Sequence, residues 1–517
     1  MKLSVLFFLS SLLGFAQYTA IPDINFENKL IALGIDLGVA DGQVLTTKIN
    51  TITALDVSSS SITNLAGIEG FVSLKTLYCY NNKLTTLDVS KNTALLDFSC
   101  DTNQLTTLDI SKNTALTILS CNENKLTSLN IATNTKLNKF YCFSNQLTTL
   151  DVSKNIDLNL LSCSQNKLTS LNIATNTKLN TFYCFSNQLT TLDVSKNTAL
   201  LNFSCDTNQL ATLDVSKNTA LTILSCNENK LTSLNIATNT KLNKFYCFSN
   251  QLTTLDVSKN IDLTILSCSQ NKLTSLNITT NTKLNKLHCF SNQLTTLDVS
   301  KNTALTVLDC YINKLTALDV TKNTSLITFN CEGNELTALD LSKNTSLENF
   351  YCPNNKLSNL NVSKNTALIA LYCNSNLLSS LNIKNGNNTI LTYFDATKNS
   401  NLSCIQVDDA AYSNTNWSTQ KDATATYNTA CSNLGVPETV FEKMSLYPNP
   451  TQGELHIDHI VLEKATLYDA SGKLLKTTKF TSATQSNTLN MEAFSKGMYY
   501  LFLESEGTHT VKKIVVE

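Results

Sequence analysis

The chain has 517 residues, of which 39 are Lys or Arg and 40 are Asp or Glu, giving a formal net charge of −1. That balance leaves no basic footprint for nucleic acid or an anionic membrane surface. Seventeen cysteines stand against only four histidines, so the main question is whether the cysteines form a disulfide framework, a metal site or a core.

The N-terminus opens with Met1 and Lys2 and continues as an apolar run that ends at Gly14-Phe15-Ala16. A short charged start, an apolar core too brief to span a bilayer and small residues at the exit predict a signal peptide at 1–16, removed after Ala16. Gln17, not a cysteine, directly follows that point, so no lipid anchor is expected, and neither is a membrane span. Residues 17–50 read as an N-terminal cap. A short amphipathic helix is expected at 22–34, with Asp23 or Asn25 capping it, Phe26, Leu30 and Leu33 on its apolar side and Gly34 as its stop.

Residues 51–390 are a repeat array. An irregular coil at 51–72 leads into fifteen cysteines spaced 21 residues apart, from Cys79 and Cys100 to Cys352 and Cys373. A period held that strictly means one structural unit stacked many times. The coil at 116–136 reads LTILSCNENKLTSLNIATNTK, which is two halves of one pattern. In each half the alternation L-x-C or L-x-I predicts a short strand with one buried face. Two asparagine columns recur, Asn82 to Asn376 and Asn92 to Asn365. Asparagine amides satisfy backbone groups freed where a chain bends. No coil buries its leucines alone, so stability must come from neighbours.

This skeleton resembles the leucine-rich repeat family, in its nested-period bacterial form with 21-residue repeats. The resemblance implies a right-handed solenoid of about 15–16 coils, mainly β with short parallel strands, and a binding role without a specified ligand. Stacked coils sit about 4.8 Å apart with parallel Cβ vectors, a poor geometry for disulfides and for converging metal ligands. The fifteen cysteines are therefore expected to be reduced core residues. Cys404 and Cys431 fall off the grid and are expected to form a capping disulfide. Residues 84–188 and 189–293 are two five-coil blocks that differ at nine positions. Such copying suits a repetitive surface or a spacer better than a single catalytic centre.

The rhythm breaks at K-N-G-N-N-T, 384–389, and the stretch 391–431, containing Trp417, reads as a C-terminal cap. A linker follows at 432–443. Residues 444–517 contain short alternating segments split by Gly and Pro, enough for a small antiparallel β-sandwich. Tyr447-Pro448-Asn449-Pro450, Gly453, Gly472, Gly497-Met498-Tyr499 and Lys512-Lys513-Ile514 occur in the order found in the type A sorting domain of the type IX secretion system, which this segment resembles. The resemblance implies Sec export, passage across the outer membrane of a Gram-negative bacterium through that machinery, and release or surface attachment.

Candidate ligand contacts lie beside the cysteines, on residues that must point outward if Leu and Cys point inward. Tyr78/Tyr80, Tyr141/Phe143, Tyr183/Phe185 and Tyr246/Phe248 form pairs there, and Phe290, Tyr311, Tyr351 and Tyr372 continue the stripe. Exposed rings on a small polar ladder suit recognition of protein or glycan. The competing reading is cross-strand packing in a passive structural spacer or matrix component. The Asp and Asn column of the other half-coil, including Asp88, Asp109 and Asp151, reads as a solvated charge ladder rather than a calcium site. No nucleophile, phosphate-loop or metalloprotease motif is present, so neither catalysis nor a cofactor is expected.

Overall fold

The computed structural model describes residues 17–431, 441, 444–469, 473–480, 484, 486–505 and 508–517. The signal segment, its cleavage point at Ala16, Gly472 and all of the expected linker except Phe441 lie outside the described residues. The chain divides into two compact units, the first ending at Thr429 and the second beginning at Ala430.

In the first unit Asp23 caps the helix Ile24–Ala32 by accepting from the backbone N–H groups of Asn25 (2.9 Å) and Phe26 (3.1 Å). Its other oxygen accepts from the backbone of Thr63 (2.7 Å) and Asn64 (2.9 Å), which joins the cap to the first coil. Phe26 and Leu30 are fully buried. Leu33, expected on the apolar side, is instead the residue that ends the helix and is 44% exposed. Gly34, at φ +69°, supplies the left-handed turn that diverts the chain before Leu33 can pack.

Seventeen three-residue strands then form one parallel sheet, beginning with Ala54–Asp56 and Thr76–Tyr78 and ending with Ala370–Tyr372 and Tyr393–Asp395. The terminal strands each pair with one neighbour among the described residues, so the sheet is open. The expected 15–16 coils become seventeen rungs because Val57 and Ala396, both fully buried, take the cysteine position in the flanking coils. The sheet thus continues into the segment expected as a cap. In Lys139–Phe140–Tyr141, as in its neighbours, the middle residue and the following cysteine are fully buried while the flanking residues face outward.

The second half-coil departs from expectation. Regular strands occur there only in the last coils, as Asn359–Asn361, Ser380–Asn382, Cys404–Gln406 and Thr426–Asn428. In most earlier coils the same stretch buries its leucines and valines without backbone pairing. Period-2 alternation reports which side is buried, and does not by itself report a hydrogen-bonded ladder. Here the column of Asp and Asn accepts the N–H two residues ahead, as Asp109 does from Ser111 (2.9 Å) and Asn130 from Ala132 (3.0 Å).

Asparagine ties coil to coil. The Asn124 amide donates to the carbonyls of Cys100 in the preceding coil (3.0 Å) and Asn122 in its own (3.0 Å). Its oxygen accepts from Leu105 N–H, again in the preceding coil (3.0 Å). The second column repeats only the donation, Asn113 reaching the carbonyls of Val89 and Asn92, both at 2.9 Å, while its buried oxygen has no hydrogen-bond partner among the described residues.

All fifteen ladder cysteines are free and buried. Several donate to the carbonyl of the next rung, as Cys79 does to Ser99 at 3.5 Å. Burial pushes the thiols up, to about 12 for Cys163 and Cys268, which suppresses the thiolate that disulfide exchange requires. Cys404 and Cys431 are disulfide-bonded.

The second unit holds two antiparallel sheets. One comprises Ser445–Tyr447, Glu454–Asp458 and Ser486–Asn490, and the other Lys464–Asp469, Leu474–Lys479, Gly497–Ser505 and Thr508–Val516. They share a core that includes Leu455, Ile457, Leu467, Leu489, Leu501 and Ile514.

Two predictions follow from this chemistry. Denatured, unreduced protein treated with a thiol reagent should titrate fifteen thiols, and a count of one or two would refute the buried ladder. The second prediction concerns acid. Backbone hydrogen bonds from Ser111 and Ser153 are the leading reason that Asp109 and Asp151 lie below the usual carboxylate range. A lowered folded value contributes stability above the unfolded value near 4, lost as pH falls through the folded one. Thermal midpoints should therefore be level near neutrality and fall below about pH 4. Asp109→Asn with Asp151→Asn should fall less steeply, because asparagine keeps the same acceptor without titrating. An identical acid limb in wild type and variant would exclude this column as a source of the acid sensitivity.

Candidate functional site

The outward residues of the parallel sheet lie in straight columns because each strand pairs in register with the next. Tyr141 stands opposite Ser162, and Ser162 opposite Tyr183. Tyr78, Tyr141, Tyr183, Tyr246, Tyr351 and Tyr372 share the column before the cysteines. Tyr80, Phe143, Phe185, Phe248, Phe290 and Tyr311 share the column after them. All are half-buried except Tyr80, which is 38% exposed. The rings are therefore partly covered and partly accessible along the sheet.

Their neighbours hold them in groups. Tyr78 donates to Asp97 at 2.9 Å, and its ring lies 6.4 Å from that of Tyr80. Phe290 and Tyr311 stack at 4.2 Å with planes 7° apart, and Tyr351 and Tyr372 stack at 5.5 Å. Ser162 and Ser164 sit between two aromatic coils and are buried, and Phe185 N–H donates to Ser164 Oγ at 3.1 Å. Burial is the first cause raising the Tyr141 and Tyr246 phenols above their ordinary value.

A polar node adjoins the rings. Asp101 accepts from Ser120 Oγ (2.7 Å), Asn122 N–H (2.6 Å) and Ser99 Oγ (3.0 Å). Burial outweighs those bonds and holds its carboxyl above the usual range. Tyr78, Tyr80, Asp101, Asn122, Glu123 and Phe143 border a shallow depression of about 510 Å³. The second block repeats the node around Asp206, with Ser225 Oγ at 2.6 Å and Asn227 N–H at 2.7 Å.

One trio has the composition of a catalytic relay. Ser267, His288 and Asp309 occupy one column on consecutive rungs, and His288 Nδ1 lies 2.7 Å from Asp309. No hydrogen bond joins Ser267 to His288 among the described residues. Among the described residues, no group of three His, Cys, Asp or Glu side chains is placed to hold a metal ion.

Sequence reasoning missed a second concavity at the end of the array. Tyr372, Tyr393, Tyr412, Asn416, Trp417 and Gln420 are among the residues around a pocket of about 480 Å³. Trp417 and the L-T-Y-F segment were legible as cap residues, but only the fold brings the 389–394 loop against the 410–420 segment.

In the second unit, Asn449 of the Tyr447-Pro448-Asn449-Pro450 motif clamps the last strand. It donates to Lys513 C=O (2.8 Å) and accepts from Val515 N–H (2.9 Å). Tyr447 donates to Asp458. Gly453 lies where an added Cβ would meet the Glu492 side chain at 3.4 Å. Gly497 opens the strand carrying Tyr499, whose hydroxyl donates to Ser495 C=O at 2.6 Å, and Lys512 is exposed.

Comparison with known proteins matches residues 445–517 to the family described as the secretion system C-terminal sorting domain. The array is a leucine-rich-repeat solenoid followed by a secretion sorting domain. The domain marks the chain as a secreted or cell-surface bacterial protein. Internalin J of Listeria monocytogenes is 38% identical over 72 residues, a match spanning 14% of this chain and 8% of that relative. The solved functional domain of that organism's InlJ, described as including a cysteine ladder, has 29% identity and a TM-score of 0.63, covering 98% of this chain and all of that one. A leucine-rich-repeat protein of Leptospira interrogans shares the fold at 22% identity and a TM-score of 0.56, over 74% of this chain and 97% of its own. No helix among the described residues is long and apolar enough to cross a membrane.

Proposed function

We propose that the protein is a non-enzymatic adhesion or binding protein, exported by a type IX secretion system across the outer membrane of a Gram-negative bacterium. Its strand face engages a protein partner through the aromatic columns. The observation that carries this reading is the registered run of half-exposed rings on an uninterrupted parallel sheet, beside polar nodes such as that of Asp101. Rings held by packing contribute contact area with little further loss of freedom on binding. The repeat fold and the internalin relatives support a binding role. The specific observation favouring a passive spacer is that eleven of the twelve rings are already partly covered by their own neighbours.

Replacing Tyr141, Phe143, Tyr183 and Phe185 together by Ser separates these readings. Serine already occupies the equivalent positions at Ser162 and Ser164. Adhesion to an immobilised protein panel should be abolished, while the thermal midpoint falls by only several degrees. Asp109→Asn and Asp151→Asn, on the other half-coil, should leave adhesion intact. Unchanged adhesion after loss of all four rings would remove these columns from the binding surface, and absence of adhesion by the unaltered protein would favour the spacer.

Export is tested separately. A chain lacking residues 444–517 should accumulate in the periplasm with its signal peptide removed. Surface display or release of that truncated chain would disprove the sorting role.

A further inference from the structure

The pocket at the C-terminal end of the array has a chemistry distinct from the strand face. Its volume of about 480 Å³ falls within the range of small-ligand sites. No Asp, Glu, Lys, Arg or His lines it. A charged ligand would therefore leave water without a counter-charge to meet it, a strongly unfavourable exchange. Half of its lining residues are aromatic. Trp417, 4% exposed, meets Tyr412 edge-on at 5.6 Å and 89° and packs against Phe394 at 5.0 Å. Tyr427 donates to the main-chain carbonyl of Trp417 at 2.8 Å, and its ring lies 6.2 Å from the indole. The indole N–H makes no hydrogen bond among the described residues. Tyr393 is 57% exposed.

The polar groups come as a complementary set. Asn416 uses its amide N–H to reach Tyr412 C=O (2.9 Å), leaving its oxygen as an acceptor. Gln420 uses its oxygen for the Thr419 N–H and hydroxyl (3.2 Å each), leaving its amide as a donor. A purely apolar ligand would strand these groups.

We propose that this pocket binds a neutral pyranose ring of a glycan. A pyranose offers two faces of C–H groups with partial positive charge, suited to the negative faces of aromatic rings. Around its rim it carries hydroxyls that both donate and accept, which match Asn416, Gln420, the tyrosine hydroxyls and the indole N–H. Tyr393 stacks on the sugar face, and Asn416 and Gln420 read its hydroxyls.

The test uses the full chain. Trp417 is the single tryptophan, so its fluorescence reports this pocket alone. Titration with neutral hexose oligosaccharides (gluco-, manno- and galacto-configured) should give a saturable change in emission with at least one of them. Tyr393→Ser should weaken that binding about tenfold, without moving the thermal midpoint, because the ring is largely exposed. Asn416→Ala should weaken it as well. Tyr141→Ser with Phe143→Ser should leave it unchanged, so failure of the strand-face reading would not register here. The proposal is overturned if no neutral oligosaccharide changes the emission, if uronate oligomers or adenosine bind as tightly, or if Tyr393→Ser and Asn416→Ala both bind like wild type.

Discussion

The rest of the molecule depends on one hydrogen-bonding arrangement, the side-chain amide that reaches from one coil into the coil before it. Where the strand ends after each cysteine, the backbone must bend sharply. Residues at that bend, such as Glu123, Ser144 and Gln165, lie in the left-handed region near φ +50°. Non-glycine residues there cost about 1–2 kcal/mol each. The next residue, Asn124 or its equivalents, satisfies the freed carbonyls of its own coil and of the preceding one. Each bend is thereby held by its neighbour, and the carbonyls that would otherwise be buried without partners are paired. Removing the amide would leave both a strained turn and unpaired carbonyls.

The same arrangement explains why the surface can vary while the interior cannot. Inward positions are held to apolar residues, mostly Leu, Phe, Val, Ile and Cys, by stacking, and every one of these ladder cysteines is buried and free. Outward positions pay no such toll, so Tyr, Ser, Asp, His and Lys appear there on successive rungs. The outward face thus varies on a scaffold whose strand register stays the same. The sorting domain is a second unit with its own core, built from different strands and a different sheet geometry.

Much of this was legible in the sequence because a repeat multiplies weak signals. A single L-x-C is ambiguous between strand and helix; fifteen in phase are not. The inward and outward sets, the reduced cysteines and the Asn columns were all readable in that way. The second half-coil was over-read, since burial alternation persists there without backbone pairing between most coils. Leu33 was misplaced because periodicity ignores where a helix stops. The partial covering of Tyr141 or Phe185 was not legible, because it depends on how far a ring leans over the serine rung beside it. The pocket around Trp417 was invisible for a different reason. Most of its walls come from non-repeating segments, where no neighbour repeats the pattern and only the fold brings Tyr393 and Tyr412 to one pocket.

The two near-identical blocks carry an implication for heredity. A coil touches only the coils on either side, and block boundaries fall in register, so the node at Asp101 reappears bond for bond at Asp206. An unequal exchange between such copies would add or delete five coils without leaving a mismatched seam, changing the ladder by about 24 Å at strand spacing. Length is therefore a trait that can drift between lineages in discrete steps, while each end, with its own cap, stays the same.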